Sequence, residues 1–68
     1  MKQFTHQVKH GAYKGKIARI NPTPGLFRIH PATPITVFLL NDNGDKEQKV
    51  ILQRLDLKAM KMPIEVDI

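Results

Sequence analysis

Three features of the sequence predict a mostly-β fold: a small barrel of five or six short strands with one helical turn near residues 55–60. Proline and glycine break the chain at close intervals. The stretches between breaks alternate apolar and polar residues or run as short β-branched blocks. The last stretch, Ile64-Glu65-Val66-Asp67-Ile68, alternates throughout, as a half-buried closing strand does. A barrel is the expected arrangement because it removes exposed sheet edges, which so short a chain has little else to cover.

In chain order, Phe4, His6 and Val8 form one face of a first strand, and Lys16–Ile20 form a second. Gly11 and Gly15 bracket the loop between them, and Asn21-Pro22-Thr23-Pro24-Gly25 is a strong turn. A third strand is expected over Leu26–His30, with Phe27 and Ile29 on one face and Arg28 and His30 on the other. Pro31 and Pro34 mark the next break. Ile35–Leu40 is nearly all apolar, as in a central buried strand, and leads through the Asn43-Gly44 pair into Lys49–Arg54, the signature of a β-hairpin. An amphipathic helix over 46–60, with Val50, Leu57 and Met60 on one side, is the alternative for this region. The run of adjacent Val50, Ile51 and Leu52 favours a strand. Leu55–Met60 reads as a helical turn, and Pro63 as the break before the closing strand.

The chain has 68 residues, enough for one domain spanning 1–68, and no cysteine to reinforce it. No apolar run approaches a membrane span, and Met1–His6 has no apolar stretch of the secretory kind, so the expected location is the cytoplasm. The net charge of +5 is unevenly spread. Residues 1–40 carry Lys2, Lys9, Lys14, Lys16, Arg19 and Arg28 with no acid, whereas residues 41–68 carry five cations against six acids. An acid-free half projects a positive field that attracts polyanions through counterion release; solubility alone is the plainer reading of the same charge.

Residues 8–20 read Val8-Lys9-His10-Gly11-Ala12-Tyr13-Lys14-Gly15-Lys16-Ile17-Ala18-Arg19-Ile20. This segment resembles the KOW motif of ribosomal proteins and transcription elongation factors. That motif passes from a strand end through a glycine and an aromatic to Lys-Gly, then into a second alternating strand. Gly11, Tyr13, Lys14, Gly15, Lys16, Ile17 and Ile20 fit the pattern; Ala18 replaces a glycine, and Phe4-Thr5-His6-Gln7 replaces the usual Gly-Asp lead-in. The resemblance covers about a fifth of the chain. It implies an SH3-like barrel, with the hairpin, helical turn and closing strand downstream, and a loop that meets RNA or protein.

The residues support a similar reading unaided. The glycines allow torsions closed to other residues, Tyr13 offers a face for base stacking, and Lys9, His10, Lys14, Lys16, Arg19 and Arg28 supply charge for phosphates. Against this stands a purely structural role, with glycines shaping a turn, Tyr13 capping the core and the cations solvated. The expected partner is nucleic acid, RNA or DNA, or else an acidic protein, with the chain a monomer or small homo-oligomer. The alternative function is a protein-interaction adaptor or inhibitor, of the kind a phage or plasmid encodes. Its mark would be an exposed apolar patch built from Phe4, Leu26, Phe27 or Met62. A homo-oligomer with a ligand in a central channel is a third option.

An enzyme is not expected. The chain has no Ser or Cys, its threonines lack a base partner, and no Gly-rich loop precedes a helix. No cofactor or metal is expected either, because His6, His10 and His30 have no acid near them in sequence before Asp42.

Overall fold

The structure is a computed structural model that describes residues 1–20 and 30–68. Five antiparallel strands form one sheet: β1 (Lys2–Val8), β2 (Ile17–Ile20), β3 (Pro34–Leu40), β4 (Glu47–Gln53) and β5 (Leu57–Val66). Their spatial order is β4-β3-β2-β1-β5, so β3, β2 and β1 are interior and β5 crosses back to pair with β1. A 3-10 turn, Arg54–Asp56, joins β4 to β5.

The expected hairpin is β3–β4, which pairs without a slip from Pro34 opposite Gln53 to Leu40 opposite Glu47. Its turn closes through Lys46 and Gly44: the Gly44 N–H donates to the Asn41 carbonyl at 3.0 Å, with Gly44 at φ +76°. The Asn41 side chain fastens the loop further, its Oδ1 accepting from the Asp45 N–H at 3.0 Å. These contacts exclude the helix over 46–60, since β4 occupies Glu47–Gln53.

The core is assembled from facing residues on neighbouring strands. Val8 opposes Leu57, Ala18 opposes Leu39, and Val37 opposes Val50. Val8, Ala18, Val37, Leu39 and Leu57 form one buried cluster, against which Tyr13, Ile20, Ile35, Val50 and Leu52 pack; Phe4 is buried as well. Fully burying a Val, Leu or Phe side chain contributes about 1.5–3 kcal/mol. Ala18 lies between His6 on β1 and Leu39 on β3 with no exposed surface, which accounts for a small residue there.

Two expectations need correction. The helical turn is shorter and earlier than 55–60: it ends at Asp56, and Leu57–Met60 already belong to β5. Pro63 is inside β5 and does not break it. The reason is a slip in the β1–β5 ladder. Phe4 faces Ile64 but His6 faces Ala59, so Thr5 alone stands opposite Met60–Pro63. A bulge on a strand at the end of the sheet order tolerates a proline, which has no N–H to give to a ladder.

The sheet is strongly curled. Glu47 faces Leu40; one step beyond the Ala18–Leu39 pair is Ile17, which faces Gln7. Glu47 is therefore level with Gln7, three strands across and five residues along from Lys2. On a flat sheet this is about 14 Å across and about 17 Å along, beyond the combined reach of the two side chains. Yet the Lys2 ammonium and the Glu47 carboxylate are in contact, so the sheet bends round to bring the start of β1 towards the start of β4.

The expected third strand, Leu26–His30, and the Asn21–Gly25 turn lie outside the described residues except for His30. His30 is exposed and not in a strand; it begins the turn in which the Thr33 N–H donates to its carbonyl at 2.9 Å.

Candidate functional site

The loop from Lys9 to Lys16 links β1 to β2 and is fixed at both ends by backbone bonds. The Val8 N–H donates to the Lys16 carbonyl at 2.9 Å, and the Gly15 N–H donates to the Val8 carbonyl at 2.8 Å. Within the loop two turns follow one another, with the Lys14 N–H bonded to the Gly11 carbonyl and the Lys16 N–H to the Tyr13 carbonyl. Gly15 occupies the third position of the second turn at φ +90°, a torsion that such a turn asks of a glycine. Gly11, at φ +92°, is similarly constrained. No atom lies within 4 Å of where a Cβ would sit at either, so the requirement is conformational and the surface beside each is open.

Asp56 anchors the loop from the 3-10 turn. Its carbonyl accepts from the Lys9 N–H at 2.8 Å, its Oδ1 lies 2.9 Å from His10 Nδ1, and its Oδ2 accepts from the Gln53 N–H at 3.0 Å. Tyr13 is half-buried and packs against the core cluster, leaving only part of its ring for a partner.

The cations of the first half have divergent fates. Arg19 lies 4.4 Å over the Phe38 ring and donates to Glu47 Oε2 from Nε at 3.1 Å and Nη2 at 2.8 Å. Lys2 binds the other oxygen of the same carboxylate, whose side chain is only 10% exposed. Burial pushes the Glu47 carboxyl up, but the hydrogen bonds and charges of Lys2 and Arg19 outweigh this and hold it below the ordinary range. Lys16 pairs with Asp42 at 2.6 Å, but Asp42 is 90% exposed, and a solvated pair of this kind is weak and exchangeable. Lys9 and Lys14 are exposed and make no ion pair among the described residues; residues 21–29 contain no acid. Arg28 lies outside the described residues.

Among the described residues two depressions flank the loop. The larger, about 470 Å³, separates it from the β3–β4 turn, with Lys14, Gly15 and Lys16 on one side and Asp42, Asn43 and Gly44 on the other. The smaller, about 190 Å³, is lined by Gln7, Val8, Lys9, Lys14, Gly15 and Lys58. Lys58 was not among the residues singled out from sequence. It belongs to the half that contains the acids, and only its register opposite Gln7 brings it beside the loop.

The histidines are engaged separately: His6 Nδ1 lies 2.8 Å from Thr5 Oγ1, His10 meets Asp56, and His30 Nδ1 accepts from the Ala32 N–H at 3.1 Å. Among the described residues no three of His, Cys, Asp or Glu converge as a metal site would require, and no helix is long and apolar enough to cross a membrane. Of the four residues named for an apolar patch, Phe4 is buried, Met62 is 80% exposed, and Leu26 and Phe27 lie outside the described residues.

No protein-family model matches the chain, no curated protein matches it, and no solved structure matches it.

Proposed function

We propose that the chain is a small SH3-like barrel that binds the sugar-phosphate backbone of RNA or DNA through the loop between β1 and β2, without catalysis or a cofactor. The barrel reading draws on the strand order β4-β3-β2-β1-β5, the 3-10 turn before the last strand and the curl marked by the Lys2–Glu47 contact. The observation that carries the functional reading is the state of Lys9 and Lys14: both project from a loop held by five backbone hydrogen bonds at its ends and turns, and neither makes an ion pair among the described residues. A loop whose backbone is already fixed presents free ammonium groups to phosphates without a further cost of ordering the main chain. Lys16 joins them when a phosphate displaces Asp42, which is free to swing into solvent. Arg19 has a different task, because its guanidinium is committed to Phe38 and Glu47. The exposed part of Tyr13 gives a base a partial stacking face.

Fluorescence anisotropy with labelled single- and double-stranded oligonucleotides at two salt concentrations tests this. Binding that weakens steeply with salt and depends little on sequence is expected. No binding at low salt overturns it.

A further inference from the structure

The smaller depression beside the loop has a composition that the charge pattern along the chain does not foreshadow. Lys9 and Lys14 from the β1–β2 loop and Lys58 from β5 line one concavity, with the Gln7 amide and Gly15 between them. None of these lining residues is acidic. Gly15 adds no side chain to the concavity, and no atom lies within 4 Å of where its Cβ would sit. Its floor is held in shape by the Gly15 N–H bond to Val8 and by Gln7 Nε2, which donates to the Gly15 carbonyl at 3.2 Å. Lys58 reaches it because β1 and β5 pair in the register that sets Gln7 against Lys58.

Two other lysines are set against carboxylates, Lys2 with Glu47 and Lys16 with Asp42, while Lys46, Lys49 and Lys61 stand apart from this depression. Lys58 makes no ion pair with any described residue, and residues 21–29 offer no acid. Three like charges about one small depression raise each other's energy unless an anion sits among them. A tetrahedral phosphate suits the site better than a flat carboxylate, since it presents oxygens in several directions to three point donors.

From this we infer that Lys9, Lys14 and Lys58 form a seat for a single phosphate group, with Lys58 the member supplied by the far end of the chain. The inference deepens the reading above and rests on it for the source of the phosphate, a backbone phosphodiester. The seat itself can be tested without nucleic acid.

The test has two arms. In the first, inorganic phosphate is titrated into the ¹⁵N-labelled full chain, with chloride at matched ionic strength as the control. Amide shifts specific to phosphate are expected at Lys9, Lys14, Gly15 and Lys58, and K58Q should abolish them while K49Q leaves them intact. In the second, anisotropy with a labelled single-stranded oligonucleotide gives the slope of log affinity against log salt. K58Q should lower that slope by about 0.7, the value for one lost contact on a single strand, whereas K49Q, an equal change of charge on β4, should not. Thermal melts confirm that both variants fold. If phosphate shifts the seat but no oligonucleotide binds, the seat stands and the nucleic-acid reading falls. If oligonucleotides bind but K58Q behaves as K49Q does and phosphate leaves those amides unmoved, the seat is overturned and the broader reading survives.

Discussion

Lys2 and Arg19 sit on neighbouring interior strands and end on one carboxylate, Glu47, whereas Lys9 and Lys14 stand at the other end of β1 and make no ion pair among the described residues. All four come from the same acid-free half of the sequence. The difference between them is made by strand order. The β3–β4 hairpin brings Glu47 and Asp42 alongside β2, and the curl of the sheet carries Glu47 on to Lys2. Antiparallel pairing thus mixes the two halves over most of the molecule and leaves free positive charge at the β1–β2 loop, where β5 adds Lys58. Segregation of charge along a chain is not segregation in space.

The largest expected effect that separates the two regions is on stability. Glu47→Ala leaves Arg19 and Lys2 without their shared acceptor in a largely enclosed position, and should cost about 1.5–3 kcal/mol, the range for hydrogen bonds to charged groups. Asp42→Ala, at the exposed pair with Lys16, should cost no more than about 0.5 kcal/mol. Urea denaturation of both variants checks this. Similar losses would mean that the two pairs are not different in kind.

Next comes the loop. Gly15→Ala forces a side chain into φ +90°, at about 1–3 kcal/mol for a strained backbone. It also places a methyl beside the Lys9–Lys14–Lys58 depression. Oligonucleotide affinity should therefore fall by more than the loss of folded protein explains, when both are measured on one sample. Asp56→Ala removes the acceptor of His10 and Gln53 but leaves the carbonyl that holds Lys9, so it should cost about 1 kcal/mol and raise amide exchange at His10–Ala12.

The smallest effect is on pH dependence. The Glu47 carboxyl is held below its ordinary range in the folded chain, so its contribution is complete above the unfolded value, near 4.3, and is lost as pH falls through the folded one. Glu47→Gln should flatten that part of the acid-unfolding curve. Burial lowers the His6 value, so the folded chain favours the neutral ring. Stability should then begin to decline as pH drops below about 6.5, and His6→Gln should remove this shallower limb. Intrinsic melts across the pH range distinguish the two.

What could be read from the sequence followed from local chemistry. The β3–β4 hairpin was legible because Asn43-Gly44 supplies the turn and Ile35–Leu40 the apolar strand. The loop was legible because Gly11 and Gly15 take torsions that only glycine takes easily. The extent of β5 was hidden. Its slip against β1 puts four residues opposite Thr5, which breaks the alternation over Met60–Pro63 and makes Pro63 resemble a terminator. The ion pairs were hidden for another reason: Lys2 and Glu47 are 45 residues apart, and nothing local specifies that the sheet will curl them together. Lys58 was missed on the same ground, since its place beside Lys9 and Lys14 is a property of register and not of sequence distance.

Location against net charge can be decided by one measurement: the salt dependence of oligonucleotide affinity for two double variants that each remove two charges. Lys9→Gln with Lys14→Gln removes the free cations of the loop, and Lys46→Gln with Lys49→Gln removes two from the β3–β4 turn and β4. A phosphate-binding loop predicts that the first pair lowers the slope by about 1.4, two contacts' worth on a single strand, while the second leaves it close to that of the unaltered chain. Equal losses in both would show that affinity follows total charge alone, and the account of the loop would be wrong.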